Sequence, residues 1–136
     1  MVPKKRFARV IIRNDNGEFL IVNQTKGGYN FPGGKIEPNE SPEDAVRRET
    51  MEETGVELGN LKQLCNEDFP LGKDLWDGFF FIALDYKGIP SNKEPNKLSE
   101  VFFCSKEFAR ENGSKMFVAD ILDKLEKFEK KSTLRL

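Results

Sequence analysis

The chain has 136 residues, with 22 Lys and Arg against 23 Asp and Glu, a length suited to one domain and a balance that excludes a global basic field for nucleic acid or anionic membrane. No apolar run approaches the roughly 18 residues that span a bilayer, and the start MVPKKRFARV lacks a signal-peptide apolar segment, so a cytoplasmic protein is expected. The absence of histidine rules out a Ser-His-Asp triad, a Cys-His dyad and a His-ligated zinc centre, leaving carboxylates, Lys, Tyr or a metal-bound water as acid and base.

Residues 7–13 (FARVIIR) and 18–23 (EFLIVN) are rich in β-formers and are separated by NDNG, whose Asn-Gly pair predicts an antiparallel hairpin. The next loop, QTKGGYNFPGGK, carries four glycines and one proline in twelve residues, so its backbone must turn tightly or admit a close approach. A second loop, IEPNE, leads to Ser41 as N-cap, Pro42 at the first helical position and Asp44 where a capping box usually has Glu or Gln. With Gly55 as the stop, these residues predict a helix over 42–54.

Three further apolar runs follow, VELGNLKQLC, LWDGFFFIALDY and SEVFFCS, with KGIPSNKEPNK as a polar loop before the last. They complete a sheet expected to hold about five or six strands. From Lys115 on, Val118, Ile121, Leu122, Leu125 and Phe128 recur at helical spacing, while Lys124, Lys127, Lys130 and Lys131 lie mostly elsewhere, which predicts a C-terminal helix docked on the sheet. Glu126 and Glu129 dilute those lysines, so no extended nucleic-acid surface is expected. Cys65 and Cys104 have no metal-ligand spacing and are expected to be reduced, part-buried thiols.

The predicted helix places Glu49, Glu52 and Glu53 within an arc of roughly 100°. Like charges at these spacings cost a few tenths of a kcal/mol each, and the negative end of the helix dipole opposes Glu52 and Glu53 further. A solvated acidic face screened by Arg47 and Arg48 is one explanation. The other is a hard divalent cation such as Mg²⁺, which takes one or two carboxylates together with waters and phosphate oxygens. Zinc, copper and iron suit this all-oxygen set poorly.

Gly34, then Glu40, then RETMEETGV from Arg48 to Val56 resembles the Nudix box, the signature of the Nudix hydrolases. Every fixed position of that signature is matched, and Thr50 alone departs, standing where an aliphatic residue is usual. The hairpin, the FPGGKIE lead-in and the closing helix are similar to the MutT-like branch of the family. The resemblance implies an α/β fold: a single Nudix domain over 1–136 with its box at 34–56, built as an α/β/α sandwich whose mixed sheet is flanked by the box helix and the C-terminal helix.

It also implies a site that binds Mg²⁺ or Mn²⁺. By position, Gly34 (through its carbonyl), Glu49, Glu52 and Glu53 match the metal ligands, and Glu52 or Glu53 lies close to the attacking water. Arg48 joins the catalytic set and, with Glu40, matches supports that orient the acids; Glu94 matches an added metal ligand, with Glu100 in reserve. Lys35, and with it Lys26, is expected near outer phosphates. Phe31, Phe79 and Phe81 are expected to bind substrate, drawn from a set that includes Tyr29, Trp76 and Phe80; on a strand, Phe79 and Phe81 face away from Phe80.

The implied reaction is hydrolysis of a nucleoside diphosphate linked to another group, with a nucleoside triphosphate, oxidised forms included, as the favoured small-molecule partner and the monophosphate and pyrophosphate as products. ADP-ribose, another nucleotide-sugar or capped RNA are alternatives, as is a catalytically silent nucleotide sensor. Pro70 stands near a proline that marks ADP-ribose hydrolases, but it is expected in a turn. No membrane partner is expected, and the chain is expected to be a monomer or homodimer.

Overall fold

A computed structural model describes residues 3–134. In chain order the elements are β1 (Arg6–Ile11), β2 (Phe19–Gln24), β3 (Gly28–Asn30), β4 (Gly33–Lys35), α1 (Pro42–Thr54), β5 (Glu57–Leu58), β6 (Leu61–Leu71), β7 (Asp74–Ala83), β8 (Tyr86–Lys87), β9 (Leu98–Cys104), α2 (Lys106–Asn112) and α3 (Asp120–Leu134). A π-helical turn, Lys115–Ala119, leads into α3.

The four-stranded sheet runs β4-β1-β7-β6 and the three-stranded sheet β3-β2-β9, while β5 and β8 form a two-stranded ribbon. Since β1 and β7 are parallel and the β4 and β6 pairings antiparallel, the main sheet is mixed, as expected. The expected five or six strands become nine among the described residues. The additional ones are two or three residues long and lie in stretches whose glycines or brevity hide any β pattern.

The early hairpin also differs from expectation. Its tip closes as NDNG requires, with the Asn14 side-chain oxygen accepting from the Asn16 and Glu18 N–H groups at 3.0 and 2.9 Å. Among the described residues the arms then pair through the Arg13–Phe19 bridge, with the Leu20 N–H donating to the Ile12 carbonyl and the Asn14 N–H to the Glu18 carbonyl, both at 2.9 Å, before entering different sheets. A strand has two edges, and those of β1 are taken by β4 and β7. Pro70, expected in a turn, lies in β6 opposite Leu75. β6 is an edge strand, where a residue without an N–H donor leaves no pairing unmade.

Alternation along β1 builds two cores. Phe7 and Ile11 face Phe69, Phe80 and the Val118, Ile121, Leu122 and Leu125 row that leads into and along α3. Ala8, Val10 and Ile12 face Ala45 and Val46 of α1 together with Phe81. Full burial of each large side chain contributes about 1.5–3 kcal/mol, so the sheet is held from both faces and the two helices flank it as expected.

Helix α1 keeps the predicted limits. The Ser41 hydroxyl accepts from the Asp44 N–H at 3.0 Å, and Gly55, at φ 76°, donates to the Met51 carbonyl at 2.9 Å. The polar loop before β9 closes this end: Ser91 N–H donates to the Thr54 carbonyl and Lys93 N–H to that of Glu53, both at 3.0 Å. The carbonyls that a helix end leaves orphaned thereby fix the segment that carries Glu94.

Candidate active site

Arg48 is the hub of the acidic face. Its Nε and Nη2 hold Glu40 at 2.8 and 3.0 Å, Nη1 donates to Glu49 at 2.9 Å and more loosely to Glu52 at 3.4 Å, and Nη2 also reaches the Lys35 carbonyl at 3.2 Å. Glu40 in turn accepts from the Glu37 N–H at 2.9 Å, and the Arg48 fork keeps its carboxyl below the usual carboxylate range. With its donors committed in this way, Arg48 orients the acids and the loop.

The three glutamates are not equivalent. Glu53 is 4% exposed and its Oε1 accepts from the Gly33 N–H at 2.9 Å. Burial pushes its carboxyl up to about 7, with Glu49 and Glu94 adding to the rise and Gly33 and Arg9 opposing it. Burial raises Glu49 as well, against the pull of Arg48. The side chain of Glu52 is 46% exposed. Glu94 is close enough to raise both Glu49 and Glu53 and sits 3.8 Å from Lys97 Nζ. The reserve acid, Glu100, lies elsewhere, accepting from Tyr29 Oη at 3.2 Å and Asn23 Nδ2 at 3.1 Å.

Two glycines let the loop and the acids meet. A Cβ on Gly34 would stand 2.6 Å from Glu49 Cδ, and one on Gly33, at φ 145°, would stand 2.1 Å from the Ala8 carbonyl oxygen.

The donor chemistry fits a hard divalent cation: every acid offers oxygen, Glu52 and Glu94 add to the proton affinity of Glu49, and Glu49 and Glu94 add to that of Glu53. Among the described residues no three acids converge as a ready-made cage. Mg²⁺ takes one or two carboxylates and completes its shell with water and phosphate.

A cavity of about 450 Å³ is lined by Phe7, Leu71, Trp76 and Phe117 together with Arg9, Gly34 and Lys35, and Gly34 is also the residue that Glu49 approaches. Phe117 meets Phe7 edge-on at 5.6 Å, and Trp76 stands 6.4 Å from it. Asn30 also lines the cavity, its Oδ1 accepting from the Phe31 N–H at 3.1 Å. A wider hollow of about 700 Å³ lies around Asp15 and Tyr86.

Of the residues expected to bind substrate, Lys35 lines the cavity and the three phenylalanines do not. Phe31 is fully buried in the α3-side core, and Phe81, 2% exposed, is in the α1-side core. Phe79 packs toward the same α1-side core under the Arg6 guanidinium at 5.4 Å. Alternation was legible, but the direction of the alternating face depends on how β7 is sandwiched. Tyr29 meets Phe102 and Phe108 edge-on, and Lys26 is exposed outside the cavity wall. Trp76, one of the aromatics expected from the sequence, also lines the cavity; Phe7, Arg9, Asn30 and Phe117 carry no local signal, because they come from β1, β3 and the turn before α3 and meet only in the folded chain.

The box position that departs from the signature is fully buried. Thr50 Oγ1 has no hydrogen-bond partner among the described residues, while its carbonyl accepts from Thr54 Oγ1 at 2.7 Å. No helix among the described residues is long and apolar enough to cross a membrane.

The NUDIX domain family model matches residues 3–124. Bacillus subtilis YtkD is 44% identical over 54 residues, 40% of this chain and 34% of that protein. The 8-oxo-dGTP diphosphatase of Escherichia coli is 36% identical over 101 residues, 68% of this chain and 76% of that one. Among solved structures, the MutT protein of Methanosarcina mazei superposes with TM-score 0.73 at 25% identity, covering 96% of both chains. The NUDIX domain of Shewanella oneidensis NrtR, solved with ADP ribose, superposes with TM-score 0.79 at 16% identity, covering 93% of this chain and 89% of that one, a likeness of fold alone. The family match runs through the same loop and helix that bring Gly34 against Glu49 and tie Arg48 to its acids, and this chain belongs to the Nudix hydrolase family.

Proposed function

We propose that the chain is a divalent-cation-dependent pyrophosphohydrolase that cleaves a nucleoside triphosphate to the monophosphate and pyrophosphate, with an oxidised purine such as 8-oxo-dGTP as the favoured substrate. The observation that carries this is the junction at Gly34, which lines a cavity walled in part by aromatic rings and is approached by Glu49 of α1. The similarity to the E. coli 8-oxo-dGTP diphosphatase over 101 residues supports the choice of substrate.

Glu49, Glu52, Glu53, the Gly34 carbonyl and Glu94 would hold Mg²⁺ or Mn²⁺. When bound, that ion supplies charge neutralisation at the phosphate oxygens and a more acidic water. Glu52 or Glu53 takes the proton from the attacking water. Arg48 keeps Glu49 aligned through its anchor on Glu40. Lys35 contacts the outer phosphates, and the Phe7, Trp76 and Phe117 rings that line the cavity receive the base.

The test is a panel of 8-oxo-dGTP, the ordinary nucleoside triphosphates, ADP-ribose and a dinucleoside polyphosphate, each with Mg²⁺, with released pyrophosphate and phosphate measured separately. Pyrophosphate from a triphosphate is the expected product. Turnover of ADP-ribose alone would reassign the substrate, and binding without turnover of any member would make the chain a sensor.

A further inference from the structure

Arg9 has no role in the chemistry above, yet it stands at the centre of the junction. It is opposite Gly33 in the β1–β4 register, and the N–H of Gly33 is held from the other side by Glu53. Two residues along the strand and on the same face lies Phe7, whose ring is 5.9 Å from the guanidinium and lines the cavity. Arg9 thus lines the cavity beside the Phe7 ring and within electrostatic reach of Glu53 and Glu49.

Its hydrogen bonding is incomplete. Nη1 donates to the Phe31 carbonyl at 2.8 Å, and among the described residues Arg9 has no ion pair and no further hydrogen-bond partner. A guanidinium has five N–H donors in a planar fork, so most are left for whatever enters the cavity. Burial works against its charge, and the acids that offset this, Glu53 and Glu49, act through space. An uncharged base edge would leave that charge half-compensated, whereas a phosphate supplies both the charge and a pair of acceptor oxygens in the geometry of the fork.

Resting on the nucleotide reading of this site, we propose that Arg9 is a substrate-binding residue that holds the phosphate attached to the nucleoside, the one retained in the monophosphate product. It would fix the junction between base and phosphate chain, leaving the outer phosphates to Lys35 and the acids with their ion.

The test is calorimetric titration of the wild type, Arg9→Gln and Arg9→Lys with two probes, 8-oxo-dGMP and 8-oxo-deoxyguanosine, in the presence of Mg²⁺, with urea unfolding of each protein alongside. Arg9→Gln should weaken the monophosphate by about tenfold or more and change the nucleoside by less than about twofold, because the charge-assisted contact goes to phosphate alone. Arg9→Lys, which keeps the charge without the fork, should fall between. Equal loss of both probes by the variants overturns the assignment in favour of a structural or base-contacting role. Unchanged monophosphate affinity overturns it while leaving the proposed function in place, and failure of the wild type to bind either probe overturns both.

Discussion

Replacing Glu53 with Gln should stabilise the metal-free protein, by an amount that grows with pH. Glu53 accepts a backbone N–H in a nearly closed setting, and its carboxyl binds a proton at about 7 instead of 4.5. A folded-state value above the unfolded one means that the folded chain holds the proton more tightly. The stability this confers is fully present below 4.5 and is lost as pH rises through the window up to about 7. At about 1.36 kcal/mol per pKa unit, wild type loses about 2.5 kcal/mol between about pH 5 and about pH 8 through this group, and glutamine, which stays neutral and can still accept from Gly33, loses none of it. Urea unfolding in EDTA at those two pH values measures the gap. With a slope of about 2 kcal/mol/M, the variant's midpoint should lead that of wild type by about 1 M more at the higher pH. Parallel pH profiles, or a variant less stable than wild type at the higher pH, would refute the view that Glu53 is held against its own preference. Mg²⁺ should reverse the order, stabilising wild type more than the variant.

Thr50→Val should raise stability by about 1 kcal/mol, since it removes a buried hydroxyl without a partner and keeps the side-chain shape; calorimetry should show the melting temperature up by about 3 °C. A lower melting temperature would mean that the hydroxyl is satisfied. Arg48→Met should lower kcat by about 10- to 100-fold with a smaller change in KM, because Arg48 orients Glu49 and the Lys35 carbonyl and its donors are committed there. A change confined to KM in steady-state kinetics would place Arg48 against the substrate instead.

What the sequence made legible was local. The ends of α1 follow from Ser41, Pro42 and Gly55, whose capping works within one turn, and the helix keeps its predicted limits. The acid cluster was legible for the same reason, because i, i+3 and i+4 spacing alone puts Glu49, Glu52 and Glu53 together. Helix α2 was missed although Ser105 caps it, accepting from the Phe108 N–H at 3.0 Å, since its apolar residues are too few to set a period.

Non-local features were hidden. The hairpin arms separate because β1 already has two neighbours, a fact held in β4 and β7 and not in NDNG. The cavity arises from register: Arg9 meets Gly33 and Phe7 meets Lys35 only after β1 and β4 pair. Phe79 and Phe81 alternate with Phe80 as a strand requires, yet only packing against α1 shows that they fill a core. Arg9 stood inside FARVIIR, where a charged residue in an alternating run reads as solvent-facing.

The most direct measurement is the rate of pyrophosphate release from 8-oxo-dGTP by wild type, Glu52→Gln and Glu53→Gln, each with Mg²⁺ and again with EDTA. Turnover by wild type that depends on Mg²⁺ and falls by about a hundredfold or more in at least one of the variants is the predicted result. Equal rates in all three proteins, or wild-type turnover that survives EDTA, would contradict the assignment of the α1 acids to the chemistry.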